Sequence, residues 1–201
     1  MIASLVMLDR QAIQALQIRD SYAMHKFVYN LFPGNNRKFL YYDQGELNNH
    51  RKILLISEEQ PIIPKLGIIE SKFIPESFFH HHRYAFQVLL NPVEQHKGQK
   101  SKAPIIQKNA LIEWFARKQI YWGFVADPDS IEVFNLGVQV TKKAGMDIIH
   151  NKAEFRGVLQ VVDRNCFIKS FTFGIGRGKA FGFGLLQLRP LNKFVNEGVE
   201  L

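Results

Sequence analysis

Residues 92–104 read PVEQHKGQKSKAP, a proline-bounded run with almost nothing to bury. Such a segment is an exposed connector, and it divides the 201-residue chain into two halves of about 95 residues each. Both halves alternate short apolar runs with helical patterns. In the first, strands are expected at 2–8, 38–42 and 51–56, with polar turn material at 43–49. Further strands are expected at 67–74 and 84–90. Asp20 is placed to cap a helix over 21–31 that Pro33 and Gly34 stop. In the second half, a helix starting near Asn109 carries an apolar stripe at Leu111, Trp114, Phe115 and Ile120. Strands follow at 131–140 and 155–162, separated by a basic stretch at 141–152. A short helix at 165–171 and a closing strand at 185–188 complete the half. Strand–helix–strand–strand–helix–strand is the ferredoxin-like (RRM-like) pattern. The expected fold is therefore α+β, with two such domains in tandem: 1–93, a linker at 94–104, and 105–201.

Composition removes several classes. With 46% hydrophobic and 22% charged residues, the chain is neither a disordered tail nor a fibrous protein. No window nears the ~18–20 consecutive apolar residues of a membrane span. The apolar start is broken by Asp9 and Arg10 and lacks a basic leader, so it reads as a first strand and not a signal peptide. Cys166 is the single cysteine, which excludes an internal disulfide framework and a multi-cysteine zinc site. Its neighbours Phe167 and Ile168 suggest a small core residue, and Trp114 and Trp122 read as packing residues. His80, His81 and His82 would point to alternating faces of a strand, so they cannot share one metal. A cytoplasmic protein with no metal, no cofactor and no membrane partner is expected.

The formal net charge is +8 and the pI about 9.6. The excess is segregated. Residues 96–201 hold sixteen Lys/Arg against nine Asp/Glu. Two stretches there contain no acid: one with Lys97, Lys100, Lys102 and Lys108, the other with Arg164, Lys169, Arg177, Lys179, Arg189 and Lys193. Such clustering suits a phosphate backbone, where each neutralised phosphate releases counterions.

Residues 174–184, GIGRGKAFGFG, place five glycines around Arg177 and Lys179. Glycines allow positive φ and close backbone approach, so exposed N–H groups there can face an anion. A P-loop is excluded, because the first glycine position falls on Phe173 and Ala180 follows Lys179 in place of Ser/Thr. A dinucleotide fingerprint fails because the segment leads into a strand and not a helix.

The longer segment GIGRGKAFGFGLLQLRPL resembles the glycine-rich signature of the CRISPR-associated RAMP proteins, in the form found in the CasE family. That family supplies the repeat-specific endoribonuclease of the Cascade complex. Residues 20–34, DSYAMHKFVYNLFPG, are similar to its Tyr-x-x-His helix with a Phe-Pro stop, and Arg37-Lys38-Phe39-Leu40-Tyr41 continues the similarity. Departures are Ser21 for a common proline, Lys26 for a common arginine, and Gly178 for a larger residue. The resemblance implies a tandem ferredoxin-like, metal-independent nuclease leaving a 2′,3′-cyclic phosphate and a 5′-hydroxyl. Its partners would be the CRISPR repeat stem-loop RNA and other Cascade subunits. It also implies RNA contacts from a basic hairpin in the second domain, here 138–156, which offers Lys142, Lys143, Lys152 and Arg156. Arg177 and Lys179 are further phosphate-contact candidates.

On the 21–31 helix, Met24, Phe27, Val28 and Leu31 form the core stripe. His25 lies about 100° off it, so it should sit at the boundary or in solvent, with Tyr22 and Tyr29 within reach. An imidazole of ordinary pKa ~6.5 can take a proton from a ribose 2′-hydroxyl or give one to the departing 5′-oxygen. His25 is therefore the candidate general acid/base, Tyr22 its orienting or phosphate-contacting partner, and Lys26 a candidate for stabilising the extra charge of the phosphorane. Two alternatives stay open: a non-catalytic RNA-binding subunit of a CRISPR ribonucleoprotein, and an α+β enzyme for a phosphate-bearing small ligand.

Overall fold

The computed structural model describes residues 1–34, 37–95, 103–143 and 146–191, with the backbone alone at 142, 143, 146 and 147. Lys97, Lys100, Lys102 and Lys193 lie outside the described residues, as does most of the linker.

The first lobe contains β1 (Ile2–Asp9), α1 (Arg10–Ala15), α2 (Ser21–Asn30), β2 (Phe39–Leu47), β3 (His50–Ser57) and β4 (Ile68–Phe73). Its sheet is antiparallel in the order β2-β3-β1-β4. The remaining elements are β5 (Arg83–Leu90), β6 (Val93–Glu94), β7 (Ala103–Pro104), α3 (Lys108–Gln119), β8 (Phe124–Ala126), β9 (Glu132–Lys143), β10 (Met146–Val161), α4 (Arg164–Phe173) and β11 (Gln187–Pro190). The second sheet runs β11-β5-β10-β8, with β9 pairing along β10. Numbered within each lobe and leaving β9 aside, both sheets have the order 4-1-3-2 of the split βαβ unit. The fold is thus two tandem ferredoxin-like lobes. Residues 58–67, between β3 and β4, contain no helix, so the first lobe is an abbreviated copy. Among the described residues no helix is long and apolar enough to cross a membrane.

Three expectations are corrected. The sequence places residues 84–90 in the first domain, but β5 pairs with β10 and β11. Sheet membership therefore changes between Phe73 and Arg83, ahead of the linker. The polar stretch 43–47 is not turn material. It extends β2, with only Asn48 and Asn49 turning the chain at φ 54° and 64°, the two-residue hairpin geometry that asparagine tolerates. Asp43 earns its place in the strand by a fork on Arg51, whose Nη2 lies 2.6 Å away. His80–His82 do not alternate on a strand either. His80 ends a 3₁₀ turn (Glu76–His80), and the strand starts only at Arg83.

The helices form where their caps and stripes dictate. Asp20 accepts a bond from the amide of Ala23 at 2.8 Å, and Asp163 from that of Cys166 at 2.9 Å. Met24, Phe27 and Val28 on α2 pack with Val6, Leu8, Tyr41, Ile53 and Leu55 under the first sheet. Under the second, Phe115 stacks between Phe86 and Phe155 at 5.6 and 4.8 Å. Each such buried ring contributes ~1.5–3 kcal/mol. Trp114 is buried in this core and Trp122 packs at its edge, whereas Cys166 is half-buried at the first turn of α4.

β2 joins the two cores. Phe39 and Tyr41 face α2, while Leu40 and Tyr42 belong to the larger cluster of the second lobe. The glycine-rich segment fills the junction. Ile175, Phe183, Leu185 and Leu186 are each at most 1% exposed, so its two ends are interior, while residues 176–181 between them are exposed or half-buried. The Ile175 amide bonds the Gly184 carbonyl, and the Gly184 amide bonds that of Leu89. The amides at its buried ends are therefore spent on the fold. A Cβ on Gly184, at φ +82°, would lie 2.2 Å from the Ile175 oxygen, whereas one on Gly45, at φ +76°, would meet nothing within 4 Å.

Gly45→Ala should lower the unfolding free energy by only the backbone term, about 1–2 kcal/mol. Gly184→Ala should cost clearly more, measured by urea denaturation. Equal losses at the two positions would contradict the wedged packing of the segment.

Candidate functional site

His25 sits on α2 beside the core stripe and is half-buried. Its ring lies 5.9 Å from Tyr22, 4.2 Å from Tyr29 and 5.2 Å from Phe181. The first two spacings are those of one helix edge. The third is made by the glycine-rich segment, whose 3₁₀ turn (Lys179–Phe181) docks against α2. His25 Nδ1 is 2.6 Å from the Ala180 carbonyl oxygen, and the Tyr41 hydroxyl donates to the same oxygen at 3.2 Å. A carbonyl only accepts, and these two donors fill its two lone pairs. The proton of the neutral imidazole is therefore on Nδ1, and Nε2 carries the free lone pair. Burial, with Asp43 next, pushes the Tyr41 phenol well above its ordinary range, which keeps it a donor.

The β9–β10 hairpin braces this arrangement from the other side. The hydroxyls of Thr141 and Ser21 share a hydrogen bond of 2.7 Å at the start of α2. Gln139 Nε2 donates to the Phe181 carbonyl at 3.2 Å. His150, on β10, lies against Phe181 and Phe183. Behind these contacts is a buried carboxylate, Glu154, which accepts from Tyr42, from Gln87 at 2.9 Å and from Asn135 at 3.0 Å. Its three donors come from β2, β5 and β9, so it ties both sheets to the hairpin.

A cleft of about 400 Å³ opens beside α2, with Ser21, Met24, Tyr41, Lys152 and Phe181 in its wall. Of the basic residues expected from the sequence, Lys152 lines this cleft, half-buried. Lys179 immediately precedes the Ala180 carbonyl. Its ammonium is pushed down by burial first and by the charge of Arg37 second. Neither Lys179 nor Arg37 is in an ion pair with a described residue. Lys26 is exposed, with Nζ 5.0 Å from the Tyr22 ring centroid. Arg177 is exposed at the tip of the glycine-rich segment. Arg156 stands apart, paired with Glu132 at 2.6 Å and stacked over Phe134. Lys142 and Lys143 occupy the end of β9, and their side chains lie outside the described residues. Among the described residues, no three His, Cys, Asp or Glu side chains could hold a metal ion together.

Arg37, Tyr41, His150, Ala180 and Phe181 were not singled out in the sequence as site residues. Arg37 adjoins the motif helix and Phe181 lies inside the glycine-rich signature, so both had a local signal. Tyr41 and Ala180 likewise fall inside the motif segments, but their role, like that of His150, comes from tertiary contacts.

His150 is 8% exposed and its imidazole is pushed below its ordinary value by burial. The unfolded chain therefore takes up this proton first as pH falls. Its contribution is intact above ~6.5, the value of a free imidazole, and is lost as pH drops from there towards the lower native value. The stability of wild type should thus fall more between pH 7 and pH 5 than that of His150→Phe, read from urea midpoints at each pH. Parallel losses would contradict a neutral buried ring.

The family described as CRISPR associated protein matches residues 1–190. The CRISPR system Cascade subunit CasE of Escherichia coli (strain K12) is 25% identical over 189 residues, spanning 86% of this chain and 94% of that protein. The crystal structure of Cas6e from Escherichia coli str. K-12 is 24% identical and superposes with a TM-score of 0.76, covering 95% of this chain and 100% of that one. A Thermus thermophilus Cse3 structure, bound to an RNA representing a pre-cleavage complex, is 16% identical with a TM-score of 0.79, covering 94% and 98%. The CasE resemblance of the two motifs thus extends over nearly the whole chain, and the tandem fold is shared.

Proposed function

The chain belongs to the CRISPR associated protein family, and from that premise we propose that it is an endoribonuclease of CRISPR repeat transcripts. It cuts at the repeat stem-loop, stays on the hairpin product and works beside other Cascade subunits in the cytoplasm. The observation that carries this reading is the 2.6 Å bond from His25 Nδ1 to the Ala180 carbonyl, which leaves Nε2 as the proton-transfer atom.

The reaction needs no metal-activated water, because the nucleophile is part of the substrate. The ribose 2′-oxygen forms a bond to the adjacent phosphorus as its proton leaves. The bond from phosphorus to the 5′-oxygen then breaks as that oxygen gains a proton. The products are a 2′,3′-cyclic phosphate and a 5′-hydroxyl. As a neutral ring, His25 accepts the first proton at Nε2; as an imidazolium, it donates the second from the same atom. Tyr22 orients the ring or contacts the phosphate, and Lys26 opposes the added charge of the phosphorane. Lys179, which feels the charge of Arg37, and Arg37 itself have no acid partners among the described residues, and this supports a phosphate path past the His25 turn. Lys152 extends it into the cleft, Arg177 continues it at the loop tip, and Lys142 and Lys143 continue it at the end of the hairpin. Arg156 contributes only on exchanging Glu132 for a phosphate oxygen.

His25→Ala should slow single-turnover cleavage of the host repeat RNA by ~10²–10⁴-fold while changing its affinity little. A substrate with a 2′-deoxy sugar before the cut should bind and resist cleavage. Wild-type protein that binds the repeat tightly in EDTA and leaves it intact would instead be a structural RNA-bound subunit. Neutralising Lys142 and Lys143 together should flatten the salt dependence of RNA binding by up to ~2 units of log slope, and an unchanged slope would place the duplex contact elsewhere.

A further inference from the structure

A continuous row of ring contacts runs from the second lobe to the helix of the first. His150 lies between Phe183 and Phe181, at 5.3 and 5.0 Å between centroids. Phe181 then lies 5.2 Å from His25 at an interplanar angle of 28°. His150 is enclosed: it is 8% exposed, and a Cβ on Gly178 would come within 3.1 Å of its Cδ2. Its Nδ1 is buried with no hydrogen-bond partner among the described residues. An unpaired buried nitrogen gives nothing back for its desolvation, so the ring contributes through what it packs against. That is the Lys179–Phe181 turn, the same turn that presents the Ala180 carbonyl to His25.

We propose that His150 is a positioning residue for the proton-transfer step: its ring holds Phe181 against His25 and so keeps the Ala180 carbonyl seated on Nδ1. The inference rests on the reading of His25 given above. His150 is too enclosed to meet RNA and acts through Phe181. Removing the ring leaves a void of side-chain size on the hairpin side of the turn. Phe181 relaxes into that void, and the carbonyl one residue before it moves away from the imidazole. A displacement near 1 Å at a reacting group costs on the order of 10²-fold in rate. Phosphate contacts are made by other residues, so affinity does not follow.

The test compares single-turnover cleavage with equilibrium binding on the host repeat RNA. His150→Ala should cleave about 10- to 100-fold more slowly, with a Kd close to that of wild type. His150→Phe keeps the ring and should restore the rate to nearly the wild-type value, which a generic loss of folding would not allow. Phe181→Leu keeps apolar bulk without a flat face and should be slowed like His150→Ala; it decides the matter if the alanine variant does not fold. Wild-type cleavage by folded His150→Ala, wild-type cleavage by Phe181→Leu, or a His150→Phe protein as slow as the alanine variant each overturns the inference alone. Wild-type protein that binds the repeat without cutting it overturns the endonuclease reading, and this inference falls with it.

Discussion

The oxygen of Ala180 is the point at which two independently built sheets act on one imidazole. It takes the His25 ring proton and the Tyr41 hydroxyl together, so a helix, a strand of the first sheet and a segment of the second lobe converge on it. The segment can reach that place only because glycine lets it run against other backbone. Gly184 packs on the Ile175 carbonyl and Gly182 on the Tyr41 ring. Bulkier residues at these positions would lift the 179–181 turn off α2 and leave His25 as an ordinary surface histidine. Gly182 and Gly184 thus serve the site through packing.

The electrostatics follow a related division. Acidic side chains inside the molecule are fully engaged: Glu154 is held by three neutral donors, and Asp43 is forked by Arg51. Around the His25 turn, by contrast, Lys179 and Arg37 have no acid partners among the described residues. The charge of Arg37 disfavours the Lys179 ammonium in the free protein, and a phosphate arriving there would offset that repulsion. The hairpin is less uniformly basic than its sequence suggests. Leu136, Val138, Val140 and Ile149 are exposed on its outer face, while its inner face supplies the polar brace of Gln139, Thr141 and His150.

Local signals were legible in the sequence. Asp20 caps a helix because the capping geometry is set within three residues, and His25 falls beside the stripe because helical periodicity fixes its azimuth. The order of strands and helices was enough for two ferredoxin-like units. What was not legible depended on partners distant in sequence. The run 84–90 looks the same whichever sheet it joins, and only its pairing with 153–160 assigns it. Residues 43–47 look like a turn because the Arg51 that stabilises Asp43 lies across the hairpin. The glycine-rich segment was ambiguous for a physical reason: positive φ serves an anion nest and a tight interior crossing equally well, and only burial shows that its two ends are the latter. His150 carries no local mark at all.

The central claim is that the fold fixes the proton of neutral His25 on Nδ1 and leaves Nε2 for the RNA. Nitrogen-15 NMR of the histidine rings in the RNA-free protein, recorded at a pH where imidazoles are neutral, reads this directly. The account predicts a protonated Nδ1 and a bare Nε2 at His25. A ring protonated on Nε2, the form that free histidine prefers, would contradict it.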